Sequence, residues 1–106
     1  MTATTFINCT PHDIQFSNGT VFPKTGTIAR VSASFSEIVE GICDQVFGTV
    51  QDLPDPVEGT FFIVSAVVLT AAKLQGRTDC VAPATGHPQV IRNEAGHIVS
   101  VPCFVR

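Results

Sequence analysis

The chain has 106 residues, 44 % hydrophobic and only 14 % charged, with a formal net charge of −3. That length accommodates one domain, residues 1–106, and excludes two independent cores. The negative balance argues against a DNA or RNA polymer as partner, which requires clustered Lys and Arg.

A charged fraction well below the usual ~25 % favours covering apolar surface with another copy of the chain, so a dimer or higher oligomer is expected. No apolar run reaches the roughly 18 residues of a membrane span, so no membrane partner is expected. The opening "MTATTF" lacks the positive and apolar regions of a signal peptide, and a cytoplasmic protein is expected.

In chain order, "TTFIN" (Thr4 to Asn8) is β-branched and aromatic, and "CTP" turns it. "DIQF" alternates, placing Ile14 and Phe16 on one strand face, and Asn18-Gly19 is a hairpin turn before "VF". Thr4 to Phe22 therefore reads as a β-meander. "TIARVSASF" (Thr27 to Phe35) alternates again. The next stretch is ambiguous. Ser36 suits a helix cap, yet Gly41 and Gly48 interrupt a helix, and only Gln45 to Gln51 reads as a strand. "LPDPVEG" (Leu53 to Gly59) is a rigid loop.

Thr60 to Val64 is apolar after its first residue, as in a strand buried on both faces. Ser65 then caps a helix in which Val67, Val68, Ala71, Ala72 and Leu74 follow the i, i+3, i+4 rhythm. Gly76 stops it, and Lys73 complements the dipole at its last turn. "DCVA" (Asp79 to Ala82), "QVIR" (Gln89 to Arg92) and "HIVSV" (His97 to Val101) read as strands, with "NEAG" turning between the last two. The expected fold class is α+β: a small antiparallel or mixed β-sheet with an N-terminal meander, packed with one principal helix near 65–75.

Cys9, Cys43, Cys80 and Cys103 are spread without a CxxC pair, and in a reducing compartment they read as small buried apolar side chains. Cys9 and His12 have a metal-like spacing, but no second pair completes four ligands, so a turn at Pro11 is the preferred reading and no cofactor is expected. Signature motifs of hydrolases, metalloproteases and nucleotide-binding loops are missing from the sequence, and a non-enzymatic protein is expected. A small thiol enzyme, pairing one of the cysteines with His12, His87 or His97, stays as an alternative.

"RTDCVAPATGHPQVIRNEAGHIV", Arg77 to Val99, concentrates the scarce polar side chains. Arg77, Arg92 and Lys73 offer charge-assisted donors to phosphate oxygens. Thr85 and Asn93 suit ribose or base edges, and His87 suits stacking or donation. The competing account is that Arg77 pairs with Asp79 or Glu94 and that Gly86-His87-Pro88 is only a turn.

Three blocks, "INCTPHDIQF", "LPDPVEGTFFIVSAVV" and "RTDCVAPATG…VIRNEAGHIVSV", cover most of the chain. Their pattern is N-x-T-x-H, LP, EG-x-x-x-IVS, R-x-D-x-x-x-P and R-x-x-x-G-x-I, in that order. It resembles that of small phage and prophage proteins, the Thoeris anti-defence sponges. The resemblance implies a protein that acts in the cytoplasm of the infected bacterial host. It would sequester cyclic ADP-ribose-type signals, with cyclic oligonucleotides as further ligands, without cleaving them, and would bind them as an oligomer. The alternative is an interaction module that blocks a host protein through an exposed apolar patch.

Overall fold

The computed structural model describes residues 4–106. Four strands form a mixed sheet: β1 (Thr5–Asn8), β6 (Thr60–Ile63), β7 (Cys80–Pro83) and β10 (Phe104–Val105), in the order β1-β6-β7-β10. β1, β6 and β7 run parallel, and β10 closes the edge antiparallel to β7. The helix α1 (Ala66–Leu74) links β6 to β7. The α+β class expected from the sequence is the class observed, although strands outnumber the helix.

Strand alternation sorts the core into two layers. Phe62, Val64, Cys80, Ala82 and Cys9 face α1, where Val68, Leu69 and Ala72 meet them. Ile63 and Val81 face the other way, towards Ile14, Val101 and an aromatic cluster. In that cluster Phe6, Phe16, Phe22 and Phe104 pack with ring centroids 4.7–5.6 Å apart, and Phe61 stacks on Phe6 at 5.9 Å. Phe62, Ile63 and Val64 are at most 1 % exposed, so β6 is the centre of the fold.

The helix ends follow the sequence closely. Ser65 is the N-cap, its Oγ accepting from the Val68 N–H. At the other end the Arg77 N–H reaches the Ala72 carbonyl and the Gly76 N–H that of Lys73, with Gly76 at φ +89°. This is a Schellman motif, which needs the left-handed conformation that glycine adopts without strain.

The opening meander is divided. β2 (Ile14–Gln15) and β3 (Val21–Phe22) form the hairpin around Asn18-Gly19, but β1 pairs in parallel with β6. The turn at "CTP" carries the chain off the sheet, so β1 and β2 are not ladder neighbours. A second hairpin, β8 (Ile91–Arg92) with β9 (Ile98–Ser100), turns at Asn93 to Gly96.

The third hairpin resolves the ambiguous segment. β4 (Ala33–Phe35) pairs with β5 (Gln45–Phe47), and Val39 bridges Ile42. Glu40 (φ +54°) and Gly41 (φ +79°) are both left-handed, as a two-residue hairpin turn requires. The Gln75 side chain, just past α1, grips the base of this hairpin: its Nε2 donates to the Gly48 carbonyl at 2.8 Å and its Oε1 accepts from the Val50 N–H at 3.2 Å. Beyond that base the hairpin is exposed. No helix among the described residues is long and apolar enough to cross a membrane.

Candidate functional site

Asn8, the last residue of β1, is 2 % exposed and has every polar atom used. Its Nδ2 donates to the carbonyls of His12 and Phe22 at 2.8 Å each. Its Oδ1 accepts from the Thr10 N–H at 3.0 Å and from the Thr10 hydroxyl at 2.6 Å. One buried amide thus folds Thr10 to Asp13 into a fixed loop and ties that loop to β3. Cys9 points into the helix-side core while His12 stays exposed, so "CTPH" is a built turn held from Asn8.

That loop forms one wall of a groove of about 560 Å³ at the carboxyl ends of β1, β6 and β7. The floor is the start of α1, Ser65 and Ala66. The other walls are Pro83 at the end of β7 with Thr85 beyond it, and Ile98 to Ser100 of β9 with Val101 following. The carboxyl edge of parallel strands is where open α/β sheets bind ligands, because chain reversals there leave a crevice. Ser65 caps the Val68 N–H, which leaves the Ala66 and Val67 N–H groups at this helix end without intrahelical partners.

The groove is mainly apolar, through Pro11, Ile14, Pro83, Ile98, Val99 and Val101, with few polar groups. Several of those are engaged: Asp13 accepts from the Lys24 N–H at 2.9 Å, and Ser100 shares a hydrogen bond with Ser17 at 3.2 Å. The His12 ring and the Thr85 hydroxyl have no hydrogen-bond partner among the described residues, which leaves them to orient a guest. A mostly apolar crevice with a few convergent polar groups is the usual form of a small-molecule site.

The six residues singled out from the sequence do not converge. Thr85 lines the groove. Arg92 sits opposite Ile98, a groove residue, and its Nη1 donates to the Gly96 carbonyl at 2.9 Å. The Asn93 Oδ1 accepts from the Ala95 and His97 N–H groups at 3.0 Å each, so this side chain shapes the hairpin turn. His87 accepts from the Gln89 N–H through Nδ1 at 3.0 Å, two residues beyond Thr85. Lys73 lines a separate cleft at the far end of α1, about 12 Å of helix away from Ser65.

Arg77 lies beyond that same end and follows the competing account. Its Nε and Nη2 clasp both Asp79 oxygens at 2.9 Å, Nη2 also donates to the Pro54 carbonyl at 2.9 Å, and the guanidinium lies 5.9 Å from the Phe62 ring centroid. The guanidinium therefore fastens the Leu53 to Gly59 loop to the sheet. Hydrogen bonding to Arg77 holds the Asp79 carboxyl below its ordinary range, and the same bond raises Arg77 further. Burial first, then the Asp79 charge, pushes the Cys80 thiol up to about 11, and burial also raises Cys9. These shifts oppose thiolate formation, the reverse of an activated nucleophile. Cys43 and Cys103 are exposed, correcting the expectation that all four cysteines are buried.

Sequence reasoning missed Asn8, Thr10, His12 and Ser65 as shapers of the groove. The available signal was "NCTPH": an amide and a hydroxyl two apart after an apolar strand are the residues that build such a turn. No family model, curated protein or solved structure matches the chain.

Proposed function

We propose that the protein binds and withholds a small nucleotide signal of the cyclic ADP-ribose type, without cleaving it, as a phage anti-defence protein in an infected bacterial cytoplasm. The groove at the carboxyl edge of β1, β6 and β7 is the observation that carries this reading. Its size and apolar walls suit a base and a ribose, and Thr85 and His12 supply hydroxyl and ring partners. The free N–H groups at the start of α1 favour an anion. Arg92, opposite Ile98 on the groove's hairpin, would exchange the Gly96 carbonyl for a phosphate oxygen. The order of the three sequence blocks supports the same reading.

Titration calorimetry with cyclic ADP-ribose isomers tests it. Arg92→Ala should weaken binding by about ten- to a hundredfold, as expected for loss of a charge-assisted contact. Thr85→Trp, which fills the groove, should abolish binding, and Arg77→Ala should leave affinity unchanged. Equal affinity in the parent and Thr85→Trp would remove the groove as the site.

A second reading, an interaction module that blocks a host protein, is favoured by the exposed apolar residues of the β4–β5 hairpin. It requires a protein partner and no nucleotide binding.

A further inference from the structure

The β4–β5 hairpin stands outside the two-layer core. Phe35, Ile38, Val39 and Ile42 are 65–77 % exposed, and Val46 is 53 % exposed. An isolated two-stranded hairpin has marginal stability in water, so large apolar side chains along one call for a covering surface. The molecule as a whole is correspondingly spread out. Its accessible surface is 7189 Å², where a compact 11.3 kDa monomer exposes about 5,700 Å². Its radius of gyration is 15.5 Å, against about 13 Å for a compact chain of this length. The excess surface exceeds the roughly 800 Å² per partner of a stable protein interface.

Charge identifies what covers the hairpin. From Val31 to Ala72 the chain contains no Lys or Arg, and the hairpin carries Glu37, Glu40 and Asp44. At the far end of α1 a cleft of about 280 Å³ is lined by Leu69, Thr70, Lys73, Leu74 and Arg106. Leu74 is 74 % exposed there, and neither Lys73 nor Arg106 is in an ion pair among the described residues, where Arg77–Asp79 is the one salt bridge. An acidic, apolar arm and a basic, apolar cleft on one chain are complementary.

We infer that the β4–β5 hairpin is an assembly arm that seats on a second copy of this chain, in the cleft between the end of α1 and Arg106. Ile38, Val39 and Ile42 meet Leu74 and Leu69, and Glu37 and Asp44 meet Lys73 and Arg106. Each copy gives one arm and accepts one, so two copies exchange arms reciprocally or several close a ring. The contact is separate from the groove and independent of the ligand reading.

Sedimentation velocity on four samples tests it. The parent should sediment as an assembly at micromolar concentration. Glu37→Lys with Asp44→Lys places like charges in the contact, and so does Lys73→Glu with Arg106→Glu. Each pair should weaken assembly by about tenfold or more. All four positions except Asp44 lie outside the backbone-pairing network of the arm, and all are exposed, so circular dichroism should show the parent's fold. An equimolar mixture of the two variants restores opposite charge at both contacts and should reassemble. A monomeric parent, a Lys73/Arg106 variant that keeps the parent's mass, or a mixture that stays monomeric would each overturn the proposal. A monomeric parent that still binds nucleotide removes the arm contact alone, and an assembled parent that binds none removes the groove reading alone.

Discussion

Replacing Asn8 by Ala removes the amide that holds the loop beside the groove. Four hydrogen bonds end on it, at 2.6–3.0 Å. The Thr10 hydroxyl keeps an alternative acceptor in the His12 carbonyl at 2.9 Å, so the main losses are the buried Thr10 N–H and two carbonyls. A net hydrogen bond contributes about 0.5–1.5 kcal/mol and a stranded buried group costs about 1–3 kcal/mol, which together give about 3 kcal/mol. At about 4 °C per kcal/mol for a chain of this size, Tm should fall by about 12 °C.

Asn8→Asp makes the sharper test. A carboxylate there has no donor and faces the His12 and Phe22 carbonyls, so at neutral pH its deficit should equal or exceed that of Ala. Burial and those carbonyls raise the folded pKa of this new carboxyl, so the deficit should shrink as pH falls towards about 4, where protonation restores one donor. Differential scanning calorimetry across pH measures both. An Asn8→Asp variant with the parent's Tm at neutral pH would refute this account of the loop.

Four further outcomes are expected. Arg77→Ala should cost about 2 kcal/mol in denaturant titration, because the pair is mostly shielded and its loss frees the Pro54 loop. The Asp79 carboxyl is depressed in the fold, so its contribution is present above the ordinary carboxyl range and is lost as pH falls through the folded value; Asp79→Asn should flatten that acid limb. With an alkylating reagent at mildly alkaline pH, Cys43 and Cys103 should react and Cys9 and Cys80 should not; because the Cys80 thiol is raised from 9.0 to about 11, its contribution to stability should fall as pH rises through that window. Gln75→Ala should speed amide exchange across Ala33 to Phe47 with little change in global Tm, since it loosens only the base of the arm.

Burial determined how much of this was legible in the sequence. Thr60 to Leu74 was readable to within a residue because Phe62 to Val64 sit at the centre of the core and Ser65 and Gly76 mark the helix ends by local chemistry. The two strands of the β4–β5 hairpin were readable within Thr27 to Phe35 and Gln45 to Gln51, but the stretch between them was not, because Ser36 mimics a helix cap and a left-handed Glu40 before Gly41 is no common turn signal. β10 escaped notice because two residues after Pro102 are too few to show a period. At the site, Thr85 was identified from its exposed turn, whereas Lys73 and Arg77 were grouped with it by nearness in sequence. Lys73 in the last turn of α1 and Arg77 beyond it lie at the end of the helix away from the groove. For Asn8 the sequence carried only the local turn signal of "NCTPH", because the rest of its role depends on β3 closing over it from Phe22.

The most direct measurement is calorimetric titration of the parent and Thr85→Trp with cyclic ADP-ribose isomers, followed by heat release and mass analysis of the ligand. Saturable binding by the parent, its loss in Thr85→Trp, and recovery of the ligand chemically unchanged are the predicted results. The absence of binding to any isomer, or recovery of a cleaved product, would contradict the account.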